Sequence, residues 1–287
     1  MSKAPEKTAA PAESKELVAA GIEQIPSFIA DDAWEFAGAG VSTSQTDFLV
    51  PFLGIAQPSS PQLKKQQEDK FIKGLEQGDI FNSATGKFWS GKEGVDIIVA
   101  FFKKAEVEWI LRTAGGGYVA THDIDSDIAK KTKTDPTDPR VRLLPNGHQL
   151  VETAYYFVAE AETGSMAVIS MTSTNLQVSR KWQTLMKEIK IPTADGSGRT
   201  TAPCFSRKYN LHTVYRSNDQ GDWFQFDITD LGWVSADDRD AYLSAREFYV
   251  EAAKNGVQLG KPPESEFAGE TIDGKADAAL GEEEPPI

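Results

Sequence analysis

From Val95 to Phe102 the chain reads Val-Asp-Ile-Ile-Val-Ala-Phe-Phe, a β-branched and aromatic run that specifies a strand. Glu108 to Leu111 continues it after a bend. Leu150–Ala159 and Met166–Met171 are two further strand patterns, joined by the hairpin signal Glu162-Thr163-Gly164-Ser165. Ser173 or Thr174 then stands where a helix cap belongs, ahead of a periodic segment from Asn175 to Ile189. At about 100° per residue, that helix gathers Trp182, Leu185, Met186 and Ile189 on one arc and Arg180, Lys187 and Lys190 on the other. Phe205–Arg216 and Trp223–Ile228 follow as strands around the turn Ser217 to Asp222. Three strands, a helix and two strands is the chain order of an oligonucleotide-binding barrel. Small mixed α+β domains share that order. The expected fold is therefore mixed β with helices (α+β): a five-stranded OB-like barrel core over about 95–230, with long loops and extra N- and C-terminal helices.

Outside that core the pattern thins. Residues 1–15 are low in complexity and read as a disordered arm, and Glu16 to Phe28 as a short amphipathic helix. Phe48 to Gln57 carries Pro51 and is bounded by Pro58-Ser59-Ser60-Pro61, which suits an edge strand. A short helix around Lys64 to Leu75 and a hairpin turn near Thr85-Gly86-Lys87 come next. The stretch with Gly115-Gly116-Gly117 and the Asp-Pro pairs at 135–136 and 138–139 reads as one long irregular loop. Asp237 to Asn255 reads as a helix closed by Gly256. One nucleic-acid-binding domain is expected over 16–255, followed by a flexible acidic tail over 256–287.

Charge is distributed unevenly. The net charge is −13, yet residues 1–50 contribute −5 and residues 251–287 contribute −6, leaving the middle of the chain close to neutral. Between Arg180 and Arg216 eight basic residues face two acids, a net +6. Aromatic residues are interleaved with them, the combination that binds single strands through phosphates and stacked bases. The candidate nucleic-acid-binding residues are Lys103, Trp109, Arg112, Arg180, Lys187, Lys190, Arg207, Tyr209, Tyr215, Arg216 and Trp223. Neighbours on a strand face opposite ways, so only alternate members of each pair can line one groove. Trp182 is expected in the core. Lys130, Lys131 and Lys133 lie in a segment of mixed charge and read as a solvated loop.

Signals of catalysis are weak. His122 to Asp127 alternates acids as a calcium loop does, but Ile128 and Thr134 stand where the glycine and the last glutamate belong. Glu188-Ile189-Lys190 has a nuclease-like spacing but ends a helix. Gly38-Ala39-Gly40 is not a dinucleotide fingerprint. One cysteine, Cys204, excludes an internal disulfide and any multi-cysteine zinc site. No apolar run approaches the roughly 20 residues of a membrane helix, and Met1 to Ser14 has no signal-peptide character. These readings predict a non-enzymatic chain with no metal, no cofactor and no membrane partner, placed in the cytoplasm. A homo-oligomer is compatible with them.

The terminal Glu282-Glu283-Glu284-Pro285-Pro286-Ile287 resembles the acidic, apolar-ended tails of bacterial and phage single-stranded DNA-binding proteins, with Ile287 where phenylalanine is usual. Phe48-Leu49-Val50-Pro51, Gly78-Asp79-Ile80-Phe81-Asn82, Asn146-Gly147 and Ser179-Arg180-Lys181-Trp182 make the body similar to phage-encoded proteins of that class. The resemblance implies a protein that coats and protects single-stranded DNA in replication or recombination, in the host cytoplasm if phage-encoded, and recruits partner proteins through its tail. On a flexible tether the tail would also compete with DNA for the basic window. A virion structural or assembly protein and a metal-dependent nuclease are the two rival expectations.

Overall fold

The computed structural model describes residues 51–65, 69–136, 141–219, 221–257 and 259. The Glu16–Phe28 helix, the arm before it and the tail at 281–287 lie outside them. In chain order the strands are β1 (Leu53–Ile55), β2 (Ile80–Asn82), β3 (Phe88–Trp89), β4 (Val95–Trp109), β5 (Tyr118–Asp123), β6 (Lys133–Thr134), β7 (Arg142–Leu143), β8 (Gln149–Glu160) and β9 (Met166–Met171). Helix α1 (Asn175–Glu188), the hairpin β10 (Lys190–Pro192) and β11 (Arg199–Thr201), strands β12 (Arg207–Asn218) and β13 (Gly221–Trp233), and helix α2 (Arg239–Asn255) complete it.

The barrel expectation is wrong. The main sheet has eight strands and runs β13-β12-β4-β8-β7-β6, with β5 also on β4 and β9 also on β8, and every ladder is antiparallel. A closed barrel would return its last strand to the set. Here β13 ends the sheet, and its outer edge bonds to side chains: Gln57 Nε2 donates to Phe224 O at 2.6 Å, Phe224 N to Gln57 Oε1 at 2.9 Å and Phe226 N to Asn175 Oδ1 at 3.1 Å. Part of the expected long loop is also strand, since β5 pairs with the second half of β4 and β7 meets β8. The two described helices are α1 and α2, and the described part of Lys64–Leu75 forms turns.

Strand β4 explains why the sheet is two-sided. One ladder joins it to β8 from Ile97 to Trp109, and the register slips once, between Val99 and Phe101. That slip is a β-bulge within the Val95–Phe102 run, and pairing with β8 continues unbroken from Phe101 to Trp109, where a bend after Phe102 was expected. On one face Val95, Ile97 and Val99 pack with Tyr156, Val158, Ile169, Tyr209, Leu211 and Phe226, covered by Trp182 of α1 and by Leu53, Ile55 and Ile80 of the small β1-β2-β3 sheet. On the other, Ile98, Ala100, Ala105, Val107, Tyr155, Phe157 and Ala159 pack with Ala241 and Ala245 of α2. A barrel has one interior; this sheet buries both faces. Near-continuous apolar strands such as Val95–Phe102 follow from that.

Backbones meet closely where β12 passes the β3–β4 connection. A Cβ built on Gly91 would stand 2.0 Å from Gly78 O and 2.4 Å from Thr213 Oγ1. That junction is closed by Thr213 N donating to Gly91 O at 2.8 Å and Thr213 Oγ1 donating to Gly78 O at 2.6 Å. Helix α1 makes no side-chain capping bond at Thr174, contrary to the cap signal, and Ser173 beside it has φ +44°. Gly256, at φ +75°, ends α2 as expected, its N–H donating to Ala252 O.

Candidate functional site

The expected binding residues separate into four groups. Trp109 and Tyr209 are core residues, 3% and 0% exposed. Trp109 packs edge-on to Tyr118, and Tyr209 edge-on to Trp182 at 5.4 Å. Neither ring can stack on a ligand. Trp182 itself is buried as expected, stacked on Tyr156 at 4.3 Å.

A second group is held by acids. Lys103 pairs with Asp123 at 3.2 Å. Arg207 makes a forked bond to Asp230, at 3.2 and 2.6 Å, and its guanidinium lies 4.9 Å over the Trp233 ring.

The third group sits at the β12–β13 turn, where strand parity splits it. Tyr215 is opposite Phe224 and shares the face of Tyr209 and Leu211. It is 56% exposed, and hydrogen bonding to Asp222 raises its hydroxyl pKa. Arg216 and Trp223 face each other on the opposite side of the ribbon, with Arg216 Nε donating to Gln225 Oε1 at 3.2 Å.

Arg180, Lys187 and Lys190 form the fourth group and remain together. All three are exposed, on the outward face of α1 and the first residue of the hairpin that follows it, and none has an acidic partner among the described residues. Lys190 Nζ donates to Thr201 Oγ1 at 2.8 Å, and Arg199 on β11 adds another exposed cation. Lys181 leans away to Asp227, 3.7 Å off on β13. The hairpin loop carries Asp195, whose carboxyl is held down to about 2 by Thr193 and Ser197. Arg112 begins a 3-10 turn, and its side chain lies outside the described residues.

A second polar constellation escaped the sequence reading. Glu108, 6% exposed, faces the α1 side of β4 beyond the bulge. Its Oε2 accepts from His122 Nε2 at 2.7 Å, and its Oε1 accepts from His148 Nδ1 at 2.6 Å and Asn146 Nδ2 at 3.1 Å. Burial alone would push this carboxyl up, but the bonds from His148, His122 and Asn146 together outweigh it and hold the pKa below the usual value. Two residues away Glu106 accepts from Arg142 Nη1 at 2.7 Å. Each oxygen of Glu108 is taken by a different imidazole, so the arrangement ties β5 and the β7–β8 turn to β4. The histidines lie 26 positions apart in the chain, and only the β4–β5 and β4–β8 registers bring them together. Cys204 is likewise structural: it donates to Ala100 O at 3.2 Å, and burial pushes its thiol up to about 11.

Among the described residues no group of three or more His, Cys, Asp and Glu side chains is arranged to hold a metal ion, and no helix is long and apolar enough to cross a membrane. Comparison with curated proteins and with solved structures found no match. A family model does match, over residues 19–258. That span takes in all the described strands and both helices, so the chain belongs to the family of Pam3 phage gp34-like proteins.

Proposed function

We propose that this protein binds single-stranded DNA through the outward face of α1 and the hairpin that continues it. The observation that carries the reading is the cluster of Arg180, Lys187 and Lys190, exposed and without acidic partners among the described residues, on a chain of net charge −13. In a protein with an excess of acids, cations gathered without acids on two consecutive elements are placed for an anionic ligand. The phage family is compatible with a role in protecting strands during replication or recombination, and the acidic segment Glu282 to Ile287 is proposed to recruit partner proteins.

Anisotropy of labelled oligo(dT), titrated at several salt concentrations, tests this. Affinity is expected to fall linearly on a log–log plot. Replacing Arg180, Lys187 and Lys190 together by alanine is expected to flatten the slope by about 2, given about 0.7 per phosphate contact on a single strand. No anisotropy change at low salt with micromolar protein would remove the reading. A defined oligomer formed without DNA, seen by light scattering, would favour an assembly role instead.

A further inference from the structure

Trp233 is the one exposed tryptophan among the described residues, at 51%. It closes β13 just after a bulge: Asp230 lies opposite Tyr209 and Gly232 opposite Lys208, leaving Leu231 as the extra residue. Gly232, at φ +104°, makes the turn, and its N–H donates to Asp230 Oδ1 at 2.9 Å. The same carboxylate holds the guanidinium of Arg207, which covers the indole at 4.9 Å and lies directly opposite Trp233 in the ladder. The ring is thus backed by a cation whose position is fixed. Half of the residue is still left in solvent.

Its placement is informative. Arg207 and Tyr209 project from the same side of β12, one same-face step apart, about 7 Å. Tyr209 is the residue that Trp182 of α1 covers. Trp233 therefore stands on the face of the sheet that α1 packs against. The β10–β11 hairpin, with Lys190 and Arg199, leads into β12 through residues 202–206.

Cations alone would hold duplex and single strands alike, because both offer phosphates. A flat ring discriminates between them. In a duplex each base is covered on both faces by its neighbours, whereas an unpaired base can stack on an aromatic side chain, whatever its identity. We propose that Trp233 is the stacking platform for one base of the bound strand, with Arg207 bracing the ring and the α1–hairpin cations taking the adjoining phosphates. This rests on the single-stranded DNA reading above and adds the element that would make it selective for unpaired bases.

Three ligands of equal length separate the contributions: oligo(dT), the same oligomer with abasic sites, and the duplex. Trp233→Ala is expected to weaken oligo(dT) binding about tenfold, to leave the abasic oligomer and the salt slope unchanged, and to narrow the preference over duplex. Trp233→Phe is expected to recover most of the loss. Circular dichroism melts compare the folding of both variants with the parent. Unchanged oligo(dT) affinity in a folded Trp233→Ala protein, or an equal loss on the abasic oligomer, overturns the platform. The salt-dependent reading survives either result. If the parent protein binds none of the ligands, both fall.

Discussion

Gly91 and Glu108 are the residues at which single substitutions say most. Gly91 has carbonyl and hydroxyl oxygens where a methyl group would go, 2.0 and 2.4 Å from an ideal Cβ, and the nearer is backbone. Gly91→Ala is expected to cost about 3 kcal/mol through forced separation of the β3–β4 connection from the Gly78 backbone and from Thr213 of β12, read as a lowered midpoint in urea. Glu108 makes a pH-dependent contribution. Its pKa is depressed in the folded protein, so the stabilisation is fully present above the unfolded value near 4.3 and is lost as pH falls through the folded one. Glu108→Gln is expected to destabilise by about 1.5–3 kcal/mol at pH 7. Denaturant melts of parent and variant should converge as the pH is lowered through the acid range; a constant gap would mean that shape and not charge is what β4 needs there.

At the scale of elements, the outer edge of β13 is closed by amides borrowed from elsewhere. Gln57 presents both a donor and an acceptor to Phe224, as a neighbouring strand would, and Asn175 takes the N–H of Phe226. An open edge invites pairing with other chains. Gln57→Ala and Asn175→Ala should each cost about 1–3 kcal/mol and speed hydrogen exchange at Phe224 and Phe226 respectively, with little change in the interior of β8. The strands themselves were legible: β8, β9, β12, β13 and both described helices stand close to where composition and turn residues put them. What was illegible was partnership. Tyr118–Asp123 is a half-polar stretch that becomes β5 only because β4 extends far enough to offer it an edge. The sites show the same limit. Trp109 and Tyr209 look like binding aromatics because alternation separates two faces without saying that both are covered. The unbroken apolar character of Val95–Phe102 was the available sign of two-sided burial. Trp233 had no local signal, because its exposure depends on a bulge and on Arg207 across the ladder.

For the whole molecule the governing property is where the charge sits. The ends hold most of the net −13, while α1 and its hairpin keep cations that have no acidic partner among the described residues. If the acidic residues at the C-terminus compete with DNA for that surface, deleting residues 281–287 should tighten oligo(dT) binding at low salt and change nothing once salt screens charges beyond about 3 Å, near 1 M. Unchanged affinity at low salt would leave the segment a docking role alone.

The bond between Gln57 and Phe224 spans 167 positions of sequence. During synthesis at about 5–20 residues per second, β1 leaves the ribosome roughly 8–30 s before the strand that fastens it. For that interval Leu53, Ile55 and Ile80 have no finished sheet to cover. The nascent chain carries an unlatched apolar flap until β13, the last of the described strands, is made.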